Sequence, residues 1–288
     1  MLQYYKSEKD KYGNTYSIDS IRATFETRQS MLSTIEDYFN NPYRVDITSH
    51  LPSNTPYRYK YLFTINYSKD DSMTIGFCFN GNTKEESRKC FIDFNPNKLC
   101  HYDLFWQDYT FIRSVSALFE LSRMDIAMDI PTHRNNILLR KDKRCYTLKE
   151  YSSDNRTEYL GQRNKAGRVK IYNKQIEASL DYPLTRIEVT CENVSQLHTH
   201  FPTCYIIGSM QFDFSVQDLN DTDTVLLSLL NEKMLTEPAV ASKYLKQLGR
   251  GKREKLSPYL LTEDSAIVPD YLTVSKVVSN VFEDLSIT

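Results

Sequence analysis

The sequence predicts an α+β fold: an antiparallel β-sheet with flanking helices, then a helical C-terminal portion. Apolar and polar residues alternate with a period of two in several short segments, as in strands with one buried face. Residues 57–67 and 73–79 are two strand-like runs across the polar turn Ser68-Lys-Asp-Asp-Ser72, which reads as an antiparallel hairpin. Beyond about residue 215 the pattern becomes helical, with runs at 223–235 and 238–248. The chain divides accordingly into a domain of residues 1–214 and a helical region of residues 215–288.

Taken in order, Ser17-Ile-Asp-Ser-Ile-Arg-Ala-Thr-Phe25 reads as a strand, and 28–39 as a helix carrying Met31, Leu32, Ile35, Tyr38 and Phe39. Cys90-Phe-Ile-Asp-Phe94 is a further strand after the hairpin. Ile112, Val115, Leu118 and Phe119 recur at helical spacing, so 111–121 reads as a helix beneath the strand that follows. The aromatics of this half, Trp106 included, read as packing groups. In Ser122-Arg-Met-Asp-Ile-Ala-Met-Asp-Ile130, Met124, Ile126, Met128 and Ile130 share one face; Arg123, Asp125, Ala127 and Asp129 share the other. In Arg168-Val-Lys-Ile-Tyr-Asn-Lys174, Val169 and Ile171 oppose Arg168, Lys170 and Tyr172. In Arg186-Ile-Glu-Val-Thr190, Ile187 and Val189 oppose Arg186, Glu188 and Thr190. Joined in one sheet, these strands present three carboxylates, a tyrosine and several cations on an open face.

The composition, 40% hydrophobic and 25% charged over 288 residues, is that of a globular protein with one large domain or one domain and an appendage. The six cysteines show no C-x-x-C pair and no zinc-like spacing, and no signal peptide precedes them; they read as reduced thiols in the cytoplasm. The longest apolar run, Val225-Leu-Leu-Ser-Leu-Leu230, is far short of the roughly 20 residues that cross a bilayer, so no membrane role is expected. The net charge of −1 conceals two basic clusters. Residues 131–174 hold 12 basic side chains, Arg134 among them, against four acids. Residues 243–255 hold six, including Arg250, Lys252 and Arg253, against Glu254 alone, with Gly249-Arg-Gly251 reading as a helix stop. Each cluster is an electrostatic target for a polyanion, and the second, on a helical portion, suits duplex DNA.

The open face suggests a chemistry. Converging carboxylates bind Mg²⁺ or Mn²⁺, which prefer oxygen ligands and polarise a phosphate oxygen. A nearby tyrosine supplies a nucleophile, although its ordinary pKa of about 10 requires activation near neutral pH. Arg168 and Lys170 would hold a phosphodiester on the same side. A hydrolase would activate water and have no use for the tyrosine, so the set points to a DNA-strand transesterase.

Ser122-Arg-Met-Asp-Ile-Ala-Met-Asp129, Tyr159-Leu-Gly-Gln-Arg163, Arg168-Val-Lys-Ile-Tyr-Asn-Lys174 and Arg186-Ile-Glu-Val-Thr190 stand in the order and spacing of the Rep_trans family. Those proteins are rolling-circle plasmid replication initiators, with related relaxases of conjugative elements, and the resemblance covers about residues 15–195. It implies a nicking domain on an antiparallel sheet flanked by helices. Such a domain cuts one strand at a double-strand origin, keeps the 5′ phosphate on tyrosine and frees a 3′ hydroxyl. It also implies a dimer that binds origin DNA, duplex and single strand, and recruits a superfamily 1 helicase. Carried onto this chain, the nucleophile is Tyr172 and the metal carboxylates are Asp125, Asp129 and Glu188. Arg168, Lys170 and Lys174 would contact the scissile region, and the basic hairpin with Arg163 and Lys165 would guide the strand.

Other readings of the same residues stand beside this one. Asp125 or Asp129 can pair with Arg123, and Glu188 with Arg168 or Lys170 across strands. Tyr172 is one of 21 tyrosines, and Tyr159 is a rival nucleophile. Leu197-His-Thr-His200 has the spacing of a two-histidine metal motif, but Thr199 departs from its pattern and the pair follows the last motif strand. The alternatives for the whole chain are a non-catalytic origin-binding initiator or regulator, and a mobilisation relaxase of the same fold.

Overall fold

The computed structural model describes residues 4–28, 31–40, 44–48, 59–78, 87–152, 155–206, 219–256, 260 and 266–287. The chain runs β1 (Glu8–Lys9), β2 (Thr15–Arg28), α1 (Met31–Tyr38), β3 (Val45–Thr48), β4 (Tyr59–Asn66), β5 (Ser72–Cys78) and β6 (Ser87–Phe94). There follow α2 (Pro96–Leu99), α3 (Asp103–Ser114), β7 (Ala117–Ile130), β8 (Ile137–Leu139), β9 (Tyr146–Glu150), β10 (Arg156–Leu160) and β11 (Val169–Asn173). The remainder is α4 (Lys174–Glu177), β12 (Thr185–Cys191), α5 (Leu197–His200), β13 (Cys204–Ile206), α6 (Asp221–Thr236), α7 (Pro238–Gln247), α8 (Arg250–Leu256) and α9 (Tyr271–Leu285).

An antiparallel sheet of 11 strands runs in the order β3-β4-β5-β6-β2-β7-β12-β11-β10-β9, with β1 beside β2; β13 and β8 pair separately. The three alternations read from the sequence are β7, β12 and β11, and they lie side by side. Their apolar sets, Met124, Ile126, Met128 and Ile130 with Ile187, Val189, Val169 and Ile171, are buried in one core. Side chains from α1, α2, α3 and α9 join them there, among them Ile35, Leu99, Phe105, Ile112 and Val277. The fold is therefore α+β, a large antiparallel sheet with helices on its apolar side, and the polar sets of the three strands face away from that core.

Two expectations shift. The helix expected at 111–121 lies earlier, at Asp103–Ser114, and β7 begins at Ala117. Pairing with β2 overrides the helical spacing there, and Phe119 stacks on Phe25 with ring centroids 5.8 Å apart. Gly249 separates α7 from α8, but Gly251 lies inside α8, so only the first of the two glycines marks a stop. The helices expected at 223–235 and 238–248 are α6 and α7.

α6, α7 and α8 share a small cluster of their own around Leu219, Leu227, Leu230 and Leu256. α9 does not join it; Val274, Val277, Val278, Val281 and Leu285 enter the core under the sheet. The boundary expected at 214/215 lies outside the described residues. Among the described residues no helix is long and apolar enough to cross a membrane.

Candidate active site on the polar face of the sheet

Strand register decides which polar side chains meet. Across β11, β12 and β7, Lys170 pairs with Glu188 and Glu188 with Ala127; one rung along, Tyr172 pairs with Arg186 and Arg186 with Asp129. Asp125 pairs with Thr190. Since β-strand side chains alternate, all of these project to the side opposite the core.

Tyr172 and Glu188 meet directly. The Tyr172 hydroxyl donates to Glu188 Oε1 at 2.6 Å, and Lys170 Nζ lies 3.3 Å from Glu188 Oε2. Lys170 also sits over the Tyr172 ring, 3.8 Å from its centroid. Tyr172 is 5% exposed, so its hydroxyl is buried in polar rather than apolar surroundings. Burial first, and then the Glu188 charge, push the phenol well above its ordinary pKa. Burial and the nearby Asp19 push the Glu188 carboxyl up to about 7, against the pull of Lys170 and of the tyrosine hydrogen bond. A carboxyl poised there, with its oxygen on a phenolic proton, has the setting of a general base.

Asp129 has a different partner. Arg186 Nε and Nη2 donate to its two oxygens at 2.6 and 2.8 Å, and Tyr4 donates a further hydrogen bond to Oδ2. Arg186 Nη1 donates at 2.8 Å to Asp19, the extra residue of a bulge where β2 and β7 shift register between Ile18 and Ser20. Burial pulls this guanidinium's pKa down, but the bonds and charge of Asp129 with the charge of Asp19 outweigh it and keep Arg186 ionised. The expected metal trio of Asp125, Asp129 and Glu188 is accordingly not brought together. Asp129 is held by the arginine directly opposite it, and Glu188 is committed to Tyr172 and Lys170. Asp125 Oδ1 is buried without a hydrogen-bond partner, but among the described residues no three His, Cys, Asp or Glu side chains are grouped to hold an ion. The donor set does not fit a three-carboxylate metal centre.

The basic residues divide. Arg163, Arg168 and Lys170 line a pocket of about 410 Å³ beside Tyr172, together with Asp125 and Glu188. Lys165 is exposed on the loop between β10 and β11 but does not line it. That loop depends on Gly161, at φ +84°, where an added Cβ would lie 3.1 Å from the Gly167 carbonyl oxygen. Lys174 is 9% exposed, pairs with Glu177 and sets its ammonium 5.9 Å from the centroid of the Tyr172 ring. Arg134, in the basic cluster by sequence, is buried and neutralised by Glu158. On α8, Lys252 joins Lys255 in ion pairs to Asp223 at 2.9 and 3.0 Å, Arg250 pairs with Glu254, and Arg253 donates to the Leu248 carbonyl.

His198 stacks on Tyr271 with ring centroids 3.5 Å apart, and the His200 ring lies against Gly167. Tyr159 lines the pocket, whereas the phenolic hydrogen bond to Glu188 comes from Tyr172. Three contributors escaped the sequence, Asp19 and Tyr4 around Arg186 and Lys149 in the pocket wall, whereas Arg123, which the alternation sets on the polar face, joins that wall without having been given a binding role. Nothing local marks Tyr4.

No protein-family model matches this chain, and no curated protein matches it. Among solved structures it is similar to a rolling circle replication initiator protein from Geobacillus stearothermophilus, with 13% sequence identity and a TM-score of 0.39. That likeness covers 72% of this chain and 91% of the other.

Proposed function

We propose that this protein is a replication initiator that nicks one DNA strand by tyrosine transesterification. The observation that carries the reading is the hydrogen bond of 2.6 Å from the Tyr172 hydroxyl to Glu188, on a polar sheet face beside a basic pocket. Tyr172 Oη attacks the phosphorus as Glu188 Oε1 accepts its proton. The phosphorus–O3′ bond breaks, the 5′ phosphate stays on Tyr172 as an ester, and the 3′ oxygen takes a proton from solvent and leaves as a hydroxyl. Lys170 neutralises charge beside the phenolate, and Arg163 and Arg168 hold the phosphodiester. Arg186, clamped by Asp19 and Asp129, fixes the strand opposite Tyr172. Origin recognition, a dimer and recruitment of a superfamily 1 helicase belong to the same reading.

The test is a supercoiled circle carrying the cognate origin, incubated with the protein and Mg²⁺ or Mn²⁺ and, separately, with chelator. Relaxed circles and a protease-sensitive adduct are expected, both lost in Tyr172→Phe; an adduct that persists in that variant would refute the assignment. A second reading, a non-catalytic origin-binding initiator or regulator, is favoured by the 5% exposure of Tyr172. Origin binding with no adduct under any of these conditions would select it. A mobilisation relaxase would pass the nicking test and differ only in the site cut.

A further inference from the structure

We propose that the pocket beside Tyr172 is a preformed subsite for one nucleotide of single-stranded DNA, its phosphodiester on the pocket cations and its base against Tyr159. The placement of that nucleotide next to the scissile phosphate rests on the reading of Tyr172 above; the site itself rests on the pocket. Five cations line it (Arg123, Lys149, Arg163, Arg168 and Lys170) against two carboxylates, Asp125 and Glu188. Lys170 is paired with Glu188, and Arg123 reaches Asp93 at 3.6 Å while its Nε is buried without a partner. Lys149, Arg163 and Arg168 make no ion pair among the described residues. Uncompensated cations converging on a concavity make a site for phosphate.

Tyr159 adds what a phosphate alone would not need. Its half-buried ring carries the Arg168 guanidinium 4.9 Å from the centroid and the Lys149 ammonium at 5.8 Å, and it faces the same cavity. Aromatic surface flanked by cations is the composition that holds single strands, by base stacking and backbone attraction together. The cavity, about 410 Å³, is of ligand-site size. A base paired and stacked in a duplex would have to leave its stack to enter it, which favours the single strand.

Binding is read by fluorescence anisotropy of a labelled single-stranded oligothymidylate on the full chain carrying Tyr172→Phe, so that no cleavage intervenes. Tyr159→Leu is expected to weaken binding about ten-fold with its salt dependence unchanged. Arg163→Ala and Arg168→Ala are each expected to lower the slope of log affinity against log salt by about 0.7. Arg163 is exposed on a loop, so its variant informs even where another fails to fold. Unchanged affinity and slope in Arg163→Ala, or a loss carried wholly by α8 charge variants, would overturn the subsite, as would an equal loss of duplex binding in the Tyr159 and Arg168 variants. An adduct on the supercoiled circle with normal binding by the pocket variants removes the subsite and leaves strand cleavage standing. Binding lost in those variants with no adduct from the wild type does the opposite.

Discussion

At the scale of single residues, the polar face holds two separately wired groups. Arg186 serves Asp19, Asp129 and Tyr4, whereas Tyr172 and Lys170 serve Glu188. Arg186 and Asp129 are each 2% exposed, so removing one partner strands a buried charge. Asp129→Asn or Arg186→Met should therefore destabilise the fold by about 3–5 kcal/mol in denaturant unfolding, whereas replacing both by apolar residues should recover much of the loss. Glu188 gives a pH signature. Its carboxyl is raised above the usual 4.5 to about 7, so the folded state holds more protons than the unfolded chain between those values. Stability from this group is full below about pH 4.5 and falls as pH rises toward 7, with a slope on the order of 1 kcal/mol per pH unit. The groups facing it are Asp19, Lys170, Tyr172 and Arg186. Adduct formation should move the other way, rising through about pH 7 as Glu188 becomes able to accept the proton, and Glu188→Gln should be slow and flat with pH. A profile for Glu188→Gln that still rises at the wild-type midpoint would remove Glu188 as the base.

At the scale of elements, the alternations of β7, β11 and β12 were legible because an apolar face next to a core leaves a period of two in the sequence. The meeting of Tyr172 with Glu188 followed from that face. The partner of Asp129 did not, because the register that sets Arg186 opposite it is fixed by pairing across 57 residues of separation. Nor did the bond of Asp19 to Arg186, because Asp19 lies at a register shift between β2 and β7 that no local pattern marks. The misplaced helix at 111–121 has the same origin: Phe119 fits a helical stripe, yet it packs on Phe25 of the neighbouring strand. The loop from Gly161 to Gly167 gives an element-level test. Both glycines have positive φ, and a Cβ at Gly161 would press on backbone atoms that cannot swing aside. Gly161→Ala should cost about 1–3 kcal/mol in thermal unfolding and displace Arg163 from the pocket, lowering single-strand affinity in the same protein.

At the scale of the whole molecule, the helical C-terminal portion was legible as helices but not as two packing partners. α6 to α8 gather round their own leucines, whereas α9 carries five buried apolar side chains into the core of the sheet. At roughly 1.5–3 kcal/mol for each buried side chain, α9 contributes on the order of 10 kcal/mol, comparable to the whole stability of a domain. Truncation before Tyr271 should abolish cooperative unfolding, measured by circular dichroism, and a soluble truncated chain with a sharp transition would contradict this packing. Arg186 has a wider consequence. Sitting on β12 and gripping carboxylates of β2 and β7, it joins strands up to 167 residues apart in sequence at the middle of an 11-stranded array. Amide hydrogen exchange should accordingly proceed from the two outer borders inward, with β3 and β9 surrendering their protons early and the backbone beside Arg186 retaining them longest.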